Sequence, residues 1–149
     1  MDKINIEGVF LSKLKIIDHP KGNIYHAMKK TDHGFNHFGE AYFSTILKNE
    51  VKGWKKNIKM TLNLIVPIGE VTFVLFDDRK TSITFNKKKS IKISPSNYYR
   101  LTIPPKIWYA FKGHCSASNL ILNIIDHEHQ SDYIIKERLD TFQFDWEKI

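Results

Sequence analysis

Arginine is scarce in a chain that is nonetheless basic. Of 23 Lys and Arg residues only Arg79, Arg100 and Arg138 are arginines, and the formal net charge is +7. Guanidinium forks are the better bidentate readers of bases and phosphates, so a surface built from lysine argues against nucleic acid as the partner. The positive field that remains can still help to capture a small anion. Cysteine is limited to Cys115, which excludes an internal disulfide. No run approaches the roughly 18 apolar residues of a membrane-spanning helix. The opening Met1-Asp-Lys-Ile-Asn-Ile6 lacks the charged-then-apolar pattern of a signal peptide. A cytoplasmic protein with no membrane segment is the expectation. Phosphate-cradling glycine loops, dinucleotide fingerprints and nucleophile motifs are also missing. No repeat or low-complexity linker divides the chain, and 149 residues are the size of one domain. A single domain over 1–149 is expected.

What is present is a series of short apolar and β-branched segments. Gly8 to Ile17 partly alternates and stops at the turn-rich Asp18-His-Pro-Lys-Gly22. Strand-like segments follow at Asn23 to Met28, Glu40 to Leu47, Met60 to Val66 and Val71 to Phe76. The last two are joined by Pro67-Ile-Gly69, which reads as a hairpin or other tight connection. Ile91 to Ser94, Tyr99 to Ile103, Trp108 to Phe111 and Asn119 to Ile125 complete the series, and Lys87-Lys-Lys89 reads as a solvated hairpin loop. Strands about ten residues apart favour a sandwich or barrel. One helix is predicted, near Ser131 to Leu139, with Ser131 or Asp132 as its N-cap.

The order of these elements, with a glycine entry at Lys52-Gly53 and an Ile103-Pro-Pro105 corner, matches an all-β cupin jelly roll closed by a short C-terminal helix. Asp18-x-x-Lys-Gly22, Phe38-Gly-Glu-Ala-Tyr-Phe-Ser44, Lys52-Gly-Trp54, Lys59-Met-Thr-Leu-Asn63, Phe76-Asp-Asp-Arg79, Asn97-Tyr-Tyr99, Ile103-Pro-Pro105 and Phe111-Lys-Gly113 stand in register over most of the chain. Together they resemble the dTDP-4-dehydrorhamnose 3,5-epimerase family, most closely its short, divergent members. That resemblance implies action on a nucleotide-linked 4-keto-6-deoxy sugar by metal-independent, cofactor-free proton abstraction next to a ketone, in deoxysugar or surface-polysaccharide synthesis. Such chemistry needs a base at the reacting carbon, a group to hold the enolate oxygen and an acid on the other face.

The catalytic registers are rebuilt in this chain. The family's first base is a histidine two residues after the glycine of Arg-Gly-x-His; here the register reads Lys52-Gly-Trp-Lys55. Lys55 can serve as a base only if burial or neighbouring cations lower its pKa, and alternation places Lys56 on the opposite face. The alternative is a cation that pairs with phosphate at the barrel mouth. Lys59 falls on the family's lysine near the sugar ketone and is a candidate to hold an enolate. Tyr109 replaces the histidine of the Ile-Pro-x-Gly-x-x-His-Gly-Phe corner, and the family's tyrosine on the next strand falls near Leu122 or Asn123. His26 sits where longer epimerases carry a glutamate that faces the pocket, so it is either a substitute base or a structural histidine.

Ligand recognition implied by the resemblance falls to Lys21 and Lys52 for diphosphate, Glu40 and Tyr42 for the nucleotide base, and Trp54 and Asn63 along the pocket. Trp54, Tyr42 and Phe111 are equally suited to core packing. The imidazole positions of a metal-binding cupin carry Lys55, Asn57 and Tyr109, so no metal is expected there. His127-Glu-His129 reads as an exposed loop. A homodimer is expected, with an early strand such as Val9 to Ile17 completing the partner's sheet. Two functions follow from this: a sugar-nucleotide epimerase or isomerase with a rebuilt site, or a non-catalytic cupin that binds a nucleotide sugar or a partner protein.

Overall fold

The apolar segments pair into two antiparallel sheets in a computed structural model that describes residues 2–149. The first sheet has the order β1 (Asp2–Lys3), β2 (Phe10–Lys13), β10 (Tyr99–Ile103), β7 (Leu62–Ile68), β12 (Leu120–Ile125), β5 (Glu40–Thr45). The second runs β13 (Ile134–Lys136), β6 (Val51–Asn57), β11 (Trp108–Gly113), β8 (Val71–Phe76), β9 (Lys88–Ile93). A small separate hairpin joins β3 (Ile16–Ile17) to β4 (Ile24–Tyr25). This is the jelly-roll architecture expected from the sequence. Among the described residues no helix is long and apolar enough to cross a membrane.

The central strands read as unbroken apolar runs because both of their faces are covered. Leu62, Leu64 and Val66 of β7 face Val71, Phe73 and Leu75 of β8 across the interior. Val74 points the other way, with Trp54, Trp108 and Ala110, and this outer face is covered by Phe142, Phe144 and Trp146 of the C-terminal segment. Lys112, itself buried on that face, anchors the segment by donating to the carbonyls of Trp146 (2.6 Å) and Ile149 (3.3 Å). On the outer face of the first sheet, Arg100 of β10 is 1% exposed and donates to the carbonyls of Ala27 and His33 and to Asp32 Oδ2, which pins the 26–34 loop over the strands.

Several local expectations change in the folded chain. Pro67-Ile-Gly69 is a tight connection, but it carries the chain from one sheet to the other, since β7 and β8 do not pair. The helix predicted near Ser131 to Leu139 is instead a single 3₁₀ turn at Ser131–Tyr133 followed by β13. The β-branched Ile134 and Ile135 find open backbone partners along β6, and edge pairing overrides the helix-start signal. Lys88 and Lys89 belong to the edge strand β9, where exposed lysines discourage further strand addition. β2 pairs with β1 on one side and β10 on the other, so the apolar strand expected to complete a partner's sheet has neighbours within its own chain.

A closed polar turn follows β8. Asp77 is fully buried and accepts hydrogen bonds from Arg79 Nε (2.8 Å), Ser82 Oγ (2.6 Å) and Thr84 Oγ1 (2.6 Å). Burial by itself would raise its carboxyl pKa, but the bonds from Arg79, Ser82 and Thr84 together outweigh it and hold the pKa far below the usual carboxylate range. A group with a depressed folded pKa stabilises the fold above its unfolded pKa, near 3.8, and that contribution is lost as pH falls from there. Asp77→Ala is expected to cost about 3 kcal/mol or more in urea unfolding at neutral pH, the usual scale for breaking a buried pair. The difference from the parent should shrink as pH drops below about 4.

Candidate functional site

Between β5, β7 and β12 of the first sheet and β6 and β11 of the second, the barrel interior holds a cavity of about 90 Å³. Leu64, Phe111 and Ile121 form its apolar wall. Tyr42 and Ser44 enter from β5, Asn123 from β12, Lys52 and Lys55 from β6 and Tyr109 from β11. Lys52 Nζ donates to the carbonyl of Thr45 at 2.7 Å and so bridges the two sheets at the opening.

An irregularity in β6 brings both lysines to the same face, with Lys52 exposed at the opening. Strict alternation would send Lys52 and Lys55 to opposite faces. The pairing with β11 shifts between Tyr109↔Lys55 and Phe111↔Lys52, so β6 carries one residue more than its partner. Trp54 then turns outward into the aromatic cluster under the C-terminal segment, where its ring lies 5.5 Å from Phe142 and 5.7 Å from Trp146. Lys56 also points outward, pairing with Asp78 at 2.8 Å over the Trp108 ring. Gly53 has φ +139°, and any Cβ there would lie 2.7 Å from Ala110 Cα. Only glycine fits this approach.

The titratable groups of the cavity are shifted in opposite directions. Burial, followed by the charges of Lys136 and Lys52, lowers the ammonium pKa of Lys55 from its ordinary value of 10.5. Burial raises the phenol of Tyr109, which is only 7% exposed, and nearby Tyr42 adds to the rise. The Tyr42 phenol is raised as well, again chiefly by burial. Asn123 Nδ2 donates to the Tyr42 hydroxyl at 2.9 Å, which leaves the hydroxyl hydrogen of Tyr42 available to another acceptor. Asn123 Oδ1 is buried and has no partner among the described residues. The cavity thus sets a half-buried amine with a lowered pKa beside two phenols with raised ones.

The residues singled out in the sequence divide between this cavity and other places. Lys52, Lys55, Tyr42 and Tyr109 come together in it. Glu40 lies on β5 in the same phase as Tyr42, half-buried and outside the cavity wall. Lys59 is exposed, with its ammonium 4.5 Å from the centre of the Tyr133 ring. Asn63 points out of the barrel, donating to the carbonyl of Gly34 and accepting from Thr102 Oγ1. Trp54 is a packing residue of the outer cluster. Lys21 is exposed in the turn between β3 and β4, and His26 lines a separate hollow of about 340 Å³ beside Arg100. His127, in the His127-Glu-His129 triplet, hydrogen-bonds Asp126 at 2.9 Å. Among the described residues, no three His, Cys, Asp or Glu side chains converge as a metal site would need. Ser44 and Lys136 were not singled out in the sequence. Ser44 is in phase with Tyr42, and the period-two pattern of β5 could have found it; no spacing signal connects Lys136 to β6.

No family model matches the chain. Its structure is similar to that of a dTDP sugar isomerase from Desulfovibrio desulfuricans, with a TM-score of 0.93 and 32% identity over 97% of this chain and 94% of that one. A dTDP-6-deoxy-D-glucose 3,5-epimerase from Legionella pneumophila, solved in complex with dTDP-4-keto-L-rhamnose, shares the fold at a TM-score of 0.81 and 19% identity, covering 93% of this chain and 77% of that one. In sequence, a probable low-salt glycan biosynthesis epimerase of Haloferax volcanii is 23% identical over 111 residues, 71% of each protein.

Because the β6 irregularity sets the aim of both lysines, Gly53→Ala is expected to destabilise the protein by a few kcal/mol, through positive φ and contact with Ala110. It should also make Lys55 more reactive toward an amine-labelling reagent, because its side chain leaves the cavity. Peptide mapping of the labelled variant against the parent checks this.

Proposed function

Because the chain belongs to the dTDP-sugar isomerase family, we propose that it moves a proton alpha to the ketone of a dTDP-linked 4-keto-6-deoxy sugar, as an epimerase or isomerase of deoxysugar or surface-polysaccharide synthesis. The observation that carries this reading is the placement of Lys55 beside Tyr42 and Tyr109 in one cavity, where burial lowers the ammonium pKa of Lys55.

In the proposed cycle the neutral amine of Lys55 takes a proton from the carbon next to the ketone. The C–H electron pair becomes the enolate double bond, and the carbonyl pair moves onto oxygen. A phenol, Tyr42 or Tyr109, hydrogen-bonds or protonates that oxygen. Return of a proton to the opposite face of the carbon, with the enol oxygen giving up its proton, gives the epimer; return to the former carbonyl carbon, with the hydroxyl of the neighbouring carbon losing its proton as its oxygen becomes the new carbonyl, gives the shifted ketone. Both products share the enolisation step. Lys52 and the apolar wall position the ligand. The reading includes no metal or cofactor, and the imidazole positions of a metal-binding cupin hold Lys55, Asn57 and Tyr109, a poor donor set for one. It also includes a homodimer, which a monomeric mass by light scattering at micromolar concentration would remove.

Lys55 at the register of the family's usual histidine, and Leu122 or Asn123 at that of its tyrosine, favour one alternative, a cupin that binds a nucleotide sugar without turnover. Incubation with dTDP-4-keto-6-deoxyglucose in heavy water separates the two. Deuterium incorporation at a carbon beside the ketone is expected, and stabilisation of the protein by the ligand with no incorporation would instead establish the binding role. Lys55→Met should slow exchange by about 10²-fold or more, the scale of a lost general base. The rate should rise with pH, because the amine acts only when neutral and its pKa lies below the ordinary lysine value. Lys55→Arg, which stays protonated, should show no such rise. Exchange by Lys55→Met at the parental rate would place the base elsewhere.

A further inference from the structure

The phase of the edge strand β13 is fixed by its neighbours. Ile134 stands opposite Asn57 and packs on the interior, while Ile135 stands opposite Lys56 and is 43% exposed. Lys136, opposite Lys55, therefore returns to the inner face. Directly opposed residues of an antiparallel pair have Cβ atoms about 4.5–5.5 Å apart, and like charges so placed repel. The β6 irregularity adds Lys52 to the same face.

Lys136 is exposed at the sheet edge and outside the cavity wall, and its charge, with that of Lys52, bears on Lys55. Lys56, Lys92 and Lys148 each have a carboxylate within 4 Å, in Asp78, Glu70 and Asp145. Among the described residues no ion pair includes Lys52, Lys55 or Lys136, and the one hydrogen bond formed by the ammonium of Lys52 goes to a neutral carbonyl. A chain that keeps a like-charge pair in register beside a third cation gains most from an anion with two or more negative charges.

We propose that Lys136 is a binding residue of the site and forms with Lys52 a two-ammonium rim that holds the diphosphate of a nucleotide sugar above Lys55. This assignment rests on the nucleotide-sugar reading given above. A bound diphosphate offsets the charges of Lys136 and Lys52 and favours the charged form of Lys55, so with the ligand in place the lowering of the Lys55 ammonium pKa rests on burial, its largest cause.

The test is calorimetric titration of the full chain with dTDP and, separately, with inorganic pyrophosphate. The proteins compared are the parent, Lys136→Gln, Lys136→Arg and, as a control for net charge, Lys80→Gln in the exposed turn after β8. Both anions are expected to bind the parent. Lys136→Gln should weaken each by about tenfold, Lys136→Arg should keep most of the affinity, and Lys80→Gln should change neither. The Tm of Lys136→Gln should equal or slightly exceed that of the parent, since a repulsive cross-strand pair has been removed. Equal affinity of Lys136→Gln and the parent for both anions overturns the rim and leaves the nucleotide-sugar reading standing. A Tm that falls in step with affinity makes Lys136 a structural residue and overturns the rim as well. Pyrophosphate binding that needs Lys136, without any gain from the nucleoside of dTDP, supports the rim and counts against the nucleotide-sugar reading. No binding of either anion to the parent overturns both.

Discussion

Two inward lysines three positions apart are incompatible with a regular β-strand, and the extra residue in β6 is what permits them. The irregularity depends on Gly53, whose positive φ and contact with Ala110 leave no room for a side chain. Its consequences run in both directions from the strand. Inward, it gives the cavity Lys52 and Lys55; outward, it sends Trp54 into the aromatic cluster beneath the C-terminal segment. Packing and chemistry are therefore coupled at one position, because Trp54 holds the strand in the phase that aims Lys55.

The outer supports matter for the same reason. A jelly roll has dry interior faces by construction, but the outer faces of these sheets carry large apolar side chains that must also be covered. The C-terminal segment does this for the second sheet, anchored by the buried Lys112, and the 26–34 loop does it for the first, anchored by the buried Arg100. Each anchor satisfies backbone carbonyls with a charged donor, so the covering segments are fixed by hydrogen bonds as well as by burial. Asn63 belongs to this supporting layer. Its bonds to Gly34 and Thr102 hold the loop on the sheet.

Lysine in place of histidine changes the physical problem of proton abstraction. An imidazole titrates near neutrality unaided, whereas an ammonium must be destabilised before it can lose its proton. Here the destabilisation comes from burial, aided by two more cations, and the same burial keeps the phenols of Tyr109 and Tyr42 protonated. In the proposed mechanism one low-dielectric cavity thus helps the amine toward its neutral form, while it makes the phenols weaker acids, suited to donate a hydrogen bond to an enolate oxygen rather than to release a proton.

The jelly roll was legible in the chain because strand alternation, the Gly53 entry and the Ile103-Pro-Pro105 corner are local signals, each readable within a few residues. That Lys55 and Tyr109 would line the cavity was legible for a similar reason, since each lies at a fixed offset from such a signal. Local spacing misled where distant segments compete. The helix-start residues near Ser131 lost to the open edge of β6, and Lys52 shares a face with Lys55 because of an irregularity that the sequence does not display, while Trp54 faces away from Lys55 as alternation requires. The sequence by itself thus determined the sheet architecture and the types of residue in the site. Only the tertiary structure decided which lysines share a face, which tyrosine meets Asn123 and that Lys136 stands opposite Lys55. Those relations depend on strand register between segments far apart in the chain, and a shift of one residue reverses every side chain.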